Sequence, residues 1–331
     1  MIIQSQFTPA PGLSNSHFQT LLPTFIRNQL IFKGVNQRLE LDDGDFVDLI
    51  WTELPETSKT QKPIVIIFHG LEGSIHSPYA KGMMLALKKQ GWIGLLMHFR
   101  GCSEMPNRLP RSYHSGETDD AKQLLAYLDN AYADHALAAI GFSLGGNMLL
   151  KLQAELGSAS PFKSIVSVCA PMILSACAER LGSGFSKIYQ AYLLSHLNRK
   201  LKTKAQQHDY EKLINLKLKD INQLKTFWQF DDLVTAPLHG FTGVDDYYTR
   251  SSARQYLCNI QTPSLILQAL DDPFMTQDII PQESELSSST VLELSEFGGH
   301  VGFISGTVFK PEFWLEKRLP EYLSEYFCAG D

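Results

Sequence analysis

The sequence contains few cysteines, and they follow no pattern of a disulfide framework or a metal site. The five cysteines among 331 residues are odd in number and widely spaced, and no two of them form a Cys-x-x-Cys pair. We therefore expect reduced thiols, as in a cytoplasmic protein. Histidines at metal-binding spacing are lacking as well. His69 and His98 both end predicted strands, but the chain has no H-x-H or H-E-x-x-H pattern, so we predict no metal site. The cysteines are Cys102, Cys169, Cys177, Cys258 and Cys328.

Long apolar runs and an excess of positive charge are lacking too. No run approaches the roughly 18–20 apolar residues that a membrane-spanning helix requires. The N-terminal segment has neither the basic part nor the long apolar part of a signal peptide. The formal net charge is −6, which argues against a nucleic-acid partner. We expect a soluble cytoplasmic protein that binds no nucleic acid and has no transmembrane segment.

What the chain does contain is an alternation of short apolar runs and helix-forming segments. The run Ile-Val-Ile-Ile-Phe at 64–68 is apolar throughout, which is typical of a strand buried on both faces of a sheet. Alternating strands and helices predict an α/β fold, with a mostly parallel twisted sheet and helices on both faces. Further strands are predicted at 37–41, 46–51, 92–98, 136–140, 163–169, 264–269 and 290–295, and helices at 78–90, 115–133, 146–156 and 311–327.

The alternation is interrupted twice, and these interruptions predict the domain organisation. Residues 1–28 contain three prolines and little periodicity, so we interpret them as an arm lying over the domain. Residues 171–259 contain no run typical of a buried strand and look helical and irregular. Because they separate two core strands, we expect an inserted helical cap over the carboxyl edge of the sheet. The core then comprises residues 29–170 and 260–331.

A pentapeptide between a predicted strand and a predicted helix points to chemistry. Residues 141–145 read Gly-Phe-Ser-Leu-Gly, a G-x-S-x-G pattern. A strand that turns sharply into a helix needs small residues on both sides of the turning residue. The turn then holds the serine hydroxyl clear of the backbone, at the positive end of the helix. This context predicts Ser143 as a nucleophile.

A nucleophilic serine needs a base and an orienting acid, and the sequence supplies candidates for both. In strand–turn–helix architectures of this kind, the acid and the histidine each follow a late strand. His300 follows the last predicted strand, and none of the other nine histidines follows a late core strand. Asp271 and Asp272 both follow the preceding strand. The Asp-Pro-apolar pattern favours Asp272, with Asp271 capping the turn or pointing outward. We predict Ser143, Asp272 and His300 as the catalytic residues.

The same chemistry needs two N–H donors for the oxyanion of a tetrahedral intermediate. Leu144, the residue after the nucleophile, supplies one backbone N–H by its position. The second is expected in the turn His-Gly-Leu-Glu-Gly-Ser at 69–74, where Gly70 would let the N–H of Leu71 face the substrate. An ordinary strand-to-helix turn is the alternative interpretation.

Eight motifs spread over nearly the whole chain make it resemble the YheT branch of the α/β-hydrolase superfamily. They read SNSHFQT at 14–20, DGDFVD at 43–48, HGLEGS at 69–74, HFRGCS at 98–103, YHSGET at 113–118, GFSLGGN at 141–147, DDPF at 271–274 and GGHVGF at 298–303. Eukaryotic relatives in this branch are ABHD1/ABHD3-type membrane lipases and yeast medium-chain ester synthase/esterases. The resemblance implies an α/β-hydrolase fold and a serine hydrolase that cleaves carboxylic esters without a cofactor. It also implies that Ser143, Asp272 and His300 are the charge-relay residues.

The expected partner is a small-molecule acyl ester, of short to medium chain length, but three alternatives remain open. An acyltransferase would use the same residues with an alcohol in place of water. A phospholipase or lysophospholipase is represented among the relatives. A binding module would keep the fold without the chemistry. The sequence shows no N-terminal anchor like that of the eukaryotic members, which weakens the transfer of a membrane-lipid substrate.

The predicted cap has two further features. Residues 187–225 contain nine Lys or Arg residues and three acids. This predicts either peripheral contact with anionic lipid or a solvated helical face. The aromatic segments at 227–232 and 246–248 are expected to pack on the core, or alternatively to line a pocket. In the core, Arg100 is expected to hold its loop through ion pairs rather than to bind substrate.

Overall fold

Short apolar segments form a nine-stranded sheet in this computed structural model, which describes residues 1–27, 30–56, 61–307 and 309–327. The strands are β1 (Ile2–Gln4), β2 (Val35–Glu40), β3 (Phe46–Trp51), β4 (Ile64–Phe68), β5 (Ile93–Met97), β6 (Leu137–Phe142), β7 (Phe162–Val168), β8 (Ser264–Ala269) and β9 (Thr290–Ser295), with β10 (Ile304–Thr307) and β11 (Lys310–Phe313) in a separate hairpin. The helices are α1 (Ser16–Ile26), α2 (Pro78–Lys89), α3 (Asp119–Tyr132), α4 (Leu144–Leu156), α5 (Leu174–Leu181), α6 (Lys187–Lys204), α7 (Tyr210–Ile214), α8 (Phe227–Phe230), α9 (Ala236–Leu238), α10 (Val244–Ser251) and α11 (Leu315–Phe327).

The strand order of the large sheet is β1-β9-β8-β7-β6-β4-β5-β3-β2. Neighbouring strands are parallel except where β3 pairs with β2 and with β5. Every residue of β4, β5 and β6 is buried, which requires cover on both faces of the sheet. The predicted α/β fold with a mostly parallel sheet is confirmed.

The register of the sheet brings the carboxyl ends of its parallel strands to one edge. Phe68 at the end of β4 pairs with Gly141, and Phe142 at the end of β6 pairs with Val168. The strands β8 and β9 also end in register with each other. The turns that follow these strands therefore meet, and they contain all of the predicted site residues.

The helices between β7 and β8 enclose an apolar cluster of their own. It contains buried side chains from Leu174 to Tyr248 and is distinct from the main core cluster. Leu71 and Phe274 pack against both clusters. Ala253, inside the predicted cap range, is buried in the main cluster instead. The division into arm, core and cap stays a prediction, and these clusters favour a cap that ends before residue 253.

The N-terminal segment contains more regular structure than its sequence predicts. Residues 2–4 form β1, which pairs in parallel with β9, and residues 16–26 form α1. The sequence signal is weak because β1 is only three residues long. In α1, the buried residue is Gln19 rather than an apolar side chain, so the usual inward-facing stripe is missing. Residue 28 of the predicted arm lies outside the described residues.

Two predicted helix starts are wrong. Residues 310–313 form β11, antiparallel to β10, because Lys-Pro-Glu-Phe alternates exposed and half-buried positions with the period of a strand. The helix predicted there begins at Leu315 and continues through Pro320. The helix predicted from residue 115 begins at Asp119 instead. Glu117 precedes it, buried, with its carboxylate 2.8 Å from Arg111.

Candidate active site

Ser143 lies in a sharp turn between β6 and α4, and glycines on both sides allow that turn. The φ angle of Ser143 is 52°, a value that side-chain-bearing residues rarely adopt. Its N–H donates to the carbonyl of Val168 at 2.8 Å. A Cβ on Gly141 would lie 2.4 Å from the carbonyl oxygen of Gly145, and one on Gly145 would lie 2.4 Å from that of Phe68. The G-x-S-x-G pattern is therefore a packing requirement of this turn.

Two hydrogen bonds join the side chains of Ser143, His300 and Asp272. His300 Nε2 lies 2.9 Å from Ser143 Oγ, and His300 Nδ1 lies 2.8 Å from Asp272 Oδ2. The other carboxylate oxygen of Asp272 accepts the N–H of Phe274 at 2.8 Å. Asp272 is only 4% exposed, so these bonds replace the solvation of its carboxylate. The structure brings the three predicted residues into one hydrogen-bonded row.

An aromatic ring holds the imidazole of His300 in this position. Phe274 is stacked on His300, with ring centroids 4.0 Å apart and an interplanar angle of 10°. Tyr189, on α6, contacts Phe274 with centroids 4.8 Å apart. Sequence reasoning did not identify either residue as part of the site. The DDPF motif is a signal for Phe274, whereas nothing in the sequence marks Tyr189.

The neighbouring acid, Asp271, holds the turn that carries His300. Its Oδ1 accepts the N–H of Gly299 at 2.9 Å, so the side chain does not point outward. Its Oδ2 is buried and has no hydrogen-bond partner within the described residues. Burial, together with the nearby Asp272 carboxylate, raises the pKa of Asp271 to about 6. The two adjacent acids therefore have different contacts.

Helix α1 packs directly against the turn that carries His300. The backbone N–H of His300 donates to Thr20 Oγ1 at 2.9 Å. The buried amide of Gln19 donates to the carbonyl of Ile304 at 3.1 Å and accepts the N–H of the same residue at 2.6 Å. A Cβ at Gly302 would lie 2.1 Å from the carbonyl oxygen of Gln19. The SNSHFQT motif marks this contact, but the sequence alone does not show what it touches.

The turn at 69–74 adjoins Ser143 and leaves one N–H without an acceptor. A Cβ on Gly70 would lie 3.2 Å from Ser143 Cβ. The N–H groups on either side of Leu71 all donate to tyrosine hydroxyls or to a carbonyl of the same turn. Within the described residues the N–H of Leu71 has no acceptor, and neither has that of Leu144 at the first position of α4. Both predicted oxyanion donors are thus available to a ligand.

A partly buried ion pair connects this turn to α6. The side chain of Glu72, directly after Leu71, is 5% exposed, and its Oε2 lies 2.8 Å from Lys200 Nζ on α6. The hydroxyl of Tyr113 donates to Glu72 Oε1 at 3.0 Å and accepts the Glu72 N–H at 2.8 Å. The φ angle of Glu72 is 56°, so these contacts hold a strained backbone. Sequence reasoning missed this pair, which joins residues of distant segments.

A cavity begins at Ser143 and His300 and is lined by residues from the core and from the helices between β7 and β8. Most of its cap lining is apolar, and it includes Leu174, Ala178, Leu181, Leu193, Leu197, Phe227, Phe230, Val234 and Leu238. Of the aromatic segments that the sequence assigns to docking or to a pocket, Phe227, Phe230, Tyr247 and Tyr248 line this cavity. These four pack in the cap's own cluster and not in the main core. The space beside Ser143 is therefore suited to a hydrocarbon chain.

Arg100 and the histidines that end β4 and β5 have structural partners. Arg100 is buried and donates to both oxygens of Asp120, at 2.7 and 2.6 Å, and to Asp43 at 2.7 Å. The loop is held by ion pairs, as expected. His69 accepts the backbone N–H of Phe99, two residues after β5, and burial lowers the pKa of His69 to about 3. His98 likewise accepts a backbone N–H at 3.2 Å.

Within the described ranges, one group of three potential metal ligands occurs, formed by Cys169, Asp272 and His300. Both ring nitrogens of His300 already have hydrogen-bond partners, and burial raises the pKa of the Cys169 thiol well above its usual value. A neutral thiol is a poor metal ligand. These contacts fit a hydrogen-bonded site better than a metal centre. Three further cysteines, Cys102, Cys177 and Cys258, are free thiols, and Cys328 lies outside the described residues.

Comparisons with known proteins find relatives along most of the chain. A family model described as alpha/beta hydrolase fold matches residues 63–307. The Escherichia coli protein YheT, provisionally named an esterase, is 46% identical over 98% of this chain and 95% of its own. The Bos taurus protein named phospholipase ABHD3 is 24% identical over 99% of this chain and 80% of its own. Among solved structures, an esterase of Pyrococcus furiosus has a TM-score of 0.57 at 17% identity, covering 91% of this chain and 93% of its own, which is a similarity of fold.

Proposed function

The chain belongs to the alpha/beta hydrolase family, and from this premise we propose that it is a serine esterase that cleaves short- to medium-chain acyl esters. The observation that carries the proposal is the hydrogen-bonded row of Ser143, His300 and Asp272 beside an apolar cavity. The esterase name of the relative that is 46% identical supports the same reaction class.

Acylation begins with transfer of the Ser143 proton to His300 Nε2, across the 2.9 Å hydrogen bond. Ser143 Oγ bonds to the carbonyl carbon of the ester, and the carbonyl electron pair moves to oxygen. The N–H groups of Leu71 and Leu144 stabilise this oxyanion. The Asp272 carboxylate stabilises the imidazolium, and the bond to the alcohol breaks as that alcohol takes the proton from His300.

Deacylation repeats these steps with water. Water loses a proton to His300 and bonds to the acyl carbon, which forms a second oxyanion at the same two N–H groups. The bond to Ser143 Oγ then breaks, and the serine recovers its proton from His300. The products are a carboxylic acid, an alcohol and the free enzyme. None of these steps calls for a cofactor.

A fluorophosphonate probe tests the assignment of Ser143, because it bonds to activated serines. We expect one adduct in the intact mass of the wild-type protein, located at Ser143 by peptide mapping. Ser143→Ala should carry none. Ser112→Ala is the matched control, since Ser112 also lines the cavity but its hydroxyl accepts from Lys204 and not from His300, and it should label like the wild type. Equal labelling of Ser143→Ala and the wild type would contradict the proposal.

A further inference from the structure

Helix α1 turns its apolar side chains toward solvent. Phe18, Leu21, Phe25 and Ile26 recur at helical spacing, and they are 58%, 37%, 69% and 43% exposed. The buried residue of the helix is Gln19. Surface helices usually have the opposite arrangement, with the apolar stripe against the core. This stripe has no partner in the described parts of the chain.

The start of α6 extends the exposed apolar surface. Phe185, Ile188 and Tyr192 are exposed there by 49%, 58% and 63%. His17, on α1, links the two segments, since its ring centroid lies 4.4 Å from that of Phe185 and its Nδ1 lies 3.0 Å from the hydroxyl of Tyr189. We define the apolar face as Phe18, Leu21, Phe25, Ile26, Phe185, Ile188 and Tyr192.

Positive charge accompanies the apolar face. No Asp or Glu occurs in residues 14–26 or 180–208, although the whole chain has a net charge of −6. The second segment contains the exposed residues Lys187 and Arg199 and the half-buried Arg180. Of the other lysines in this segment, Lys200 pairs with Glu72, Lys204 is buried, and the half-buried Lys202 donates to Asn222. Lys187 is thus an exposed cation at the start of α6, whereas Arg199 lies in the last two turns of that helix.

Both segments of the apolar face are in contact with residues that hold the imidazole of His300. Thr20, on α1, accepts the His300 N–H. Tyr189, on α6, contacts Phe274, which is stacked on His300. A ligand surface bound at the apolar face would therefore lie next to the candidate active site.

We propose that the apolar face docks on an anionic lipid interface, from which the enzyme takes its acyl ester. Lipid accounts for both features, because apolar side chains enter the interface while cations meet the headgroups. A second copy of the chain would bring like charges together at this face. None of the helices in the described ranges has both the length and the apolar character needed to span a bilayer. The origin of the ester rests on the proposed function, whereas the docking rests on the apolar face and the cations beside it.

Vesicle flotation of the full chain tests the docking. The parent protein carries Ser143→Ala, so that binding is measured without ester hydrolysis. We expect binding to vesicles of phosphatidylcholine mixed with phosphatidylglycerol at low salt, weaker binding to phosphatidylcholine alone, and release by high salt. Adding Phe18→Ser and Phe25→Ser should lower the bound fraction about tenfold or more. The matched control is Leu213→Ser with Leu218→Ser, which removes side chains that are 50% and 57% exposed elsewhere, and it should bind like its parent.

Thermal melting of each variant checks that it is folded. If the variant with both Phe18→Ser and Phe25→Ser is unfolded, the variant with Phe25→Ser alone replaces it in the flotation assay. Three results would overturn the inference. The parent protein could fail to bind anionic vesicles at low salt, or the substituted protein could bind as well as the parent. Sedimentation could also show a dimer that the Phe18 and Phe25 substitutions dissociate, without vesicle binding, which would make the face an interface between copies. A failed ester-hydrolysis assay would contradict the proposed function and leave the flotation result standing.

Discussion

At the scale of single residues, Asp271 and Asp272 are adjacent but touch different parts of the site. Asp272→Asn places an amide beside His300 Nδ1 and favours the wrong tautomer, so kcat should fall on the order of 10⁴-fold. Asp271→Asn keeps an acceptor for the Gly299 N–H, so activity should stay within roughly tenfold of wild type. Steady-state kinetics on one monomeric ester measures both variants, and the reverse ranking would contradict the assignment.

The same Asp271→Asn variant has an expected pH signature. Because the folded-state pKa of Asp271 is raised to about 6, the folded protein binds this proton more tightly than the unfolded chain. Wild type should therefore lose stability relative to Asp271→Asn as pH rises from roughly 4 to 6. Melting temperatures of the two proteins across this range measure the difference. A difference that does not change with pH would show that Asp271 does not titrate in this way.

The sequence predicts a site residue when a short stretch of sequence around that residue marks its position. Ser143, Asp272 and His300 each follow a strand whose apolar run is easy to identify, so their order along the chain predicts that they meet. The DDPF motif likewise marks Phe274, although it does not show that the ring stacks on His300. The Glu72–Lys200 pair has no such signal. Its contact depends on how α6 packs on the core, which is a tertiary property that no short motif encodes.

At the scale of elements, the buried strands were predictable and the N-terminal helix was not. Strands such as β4 and β8 are buried at every position and mostly apolar, because both faces of the sheet are covered. Helix α1 lacks this signal, since its inward contacts are made by polar groups of Gln19 and Thr20. The apolar residues of α1 that recur at helical spacing lie on its exposed face, so their periodicity does not show which face meets the core.

This role of α1 leads to a prediction for Thr20. Its hydroxyl accepts the backbone N–H of His300 and donates to the carbonyl of Ser16. These bonds fix the turn that carries His300, the proposed base. Thr20→Ala should lower kcat about tenfold with little change in KM, because the imidazole is less well positioned. Thr20→Ser retains the hydroxyl and should restore kcat. Equal loss of kcat in both variants, or a loss confined to KM, would contradict a positioning role.

At the scale of the whole molecule, the candidate site lies where two apolar clusters meet. Leu71 and Phe274 pack against both the core cluster and the cap cluster, and both residues adjoin the hydrogen-bonded row at Ser143. The core carries the proposed reacting groups, and the helices between β7 and β8 supply most of the apolar lining of the cavity. The sequence predicts the inserted helices from the break in strand alternation. It does not predict the shape of the space beneath them, since that depends on which faces of these helices turn inward.

The apolar lining predicts how activity depends on the acyl chain. Each methylene buried in the cavity is worth about 0.8 kcal/mol, or roughly fourfold in kcat/KM, so activity should rise with acyl length and fall once the cavity is full. Hydrolysis rates of esters of increasing acyl length, with the rate of Ser143→Ala subtracted, measure this profile. Ala178→Leu adds bulk to the cavity lining and should move the optimum to shorter chains, whereas Ala191→Leu, on the exposed face of α6, should leave it in place. A flat or declining profile from acetate upward would contradict an acyl pocket. An unchanged optimum in Ala178→Leu would place the acyl chain elsewhere, because a leucine at this position narrows the cavity that the cap and the core enclose.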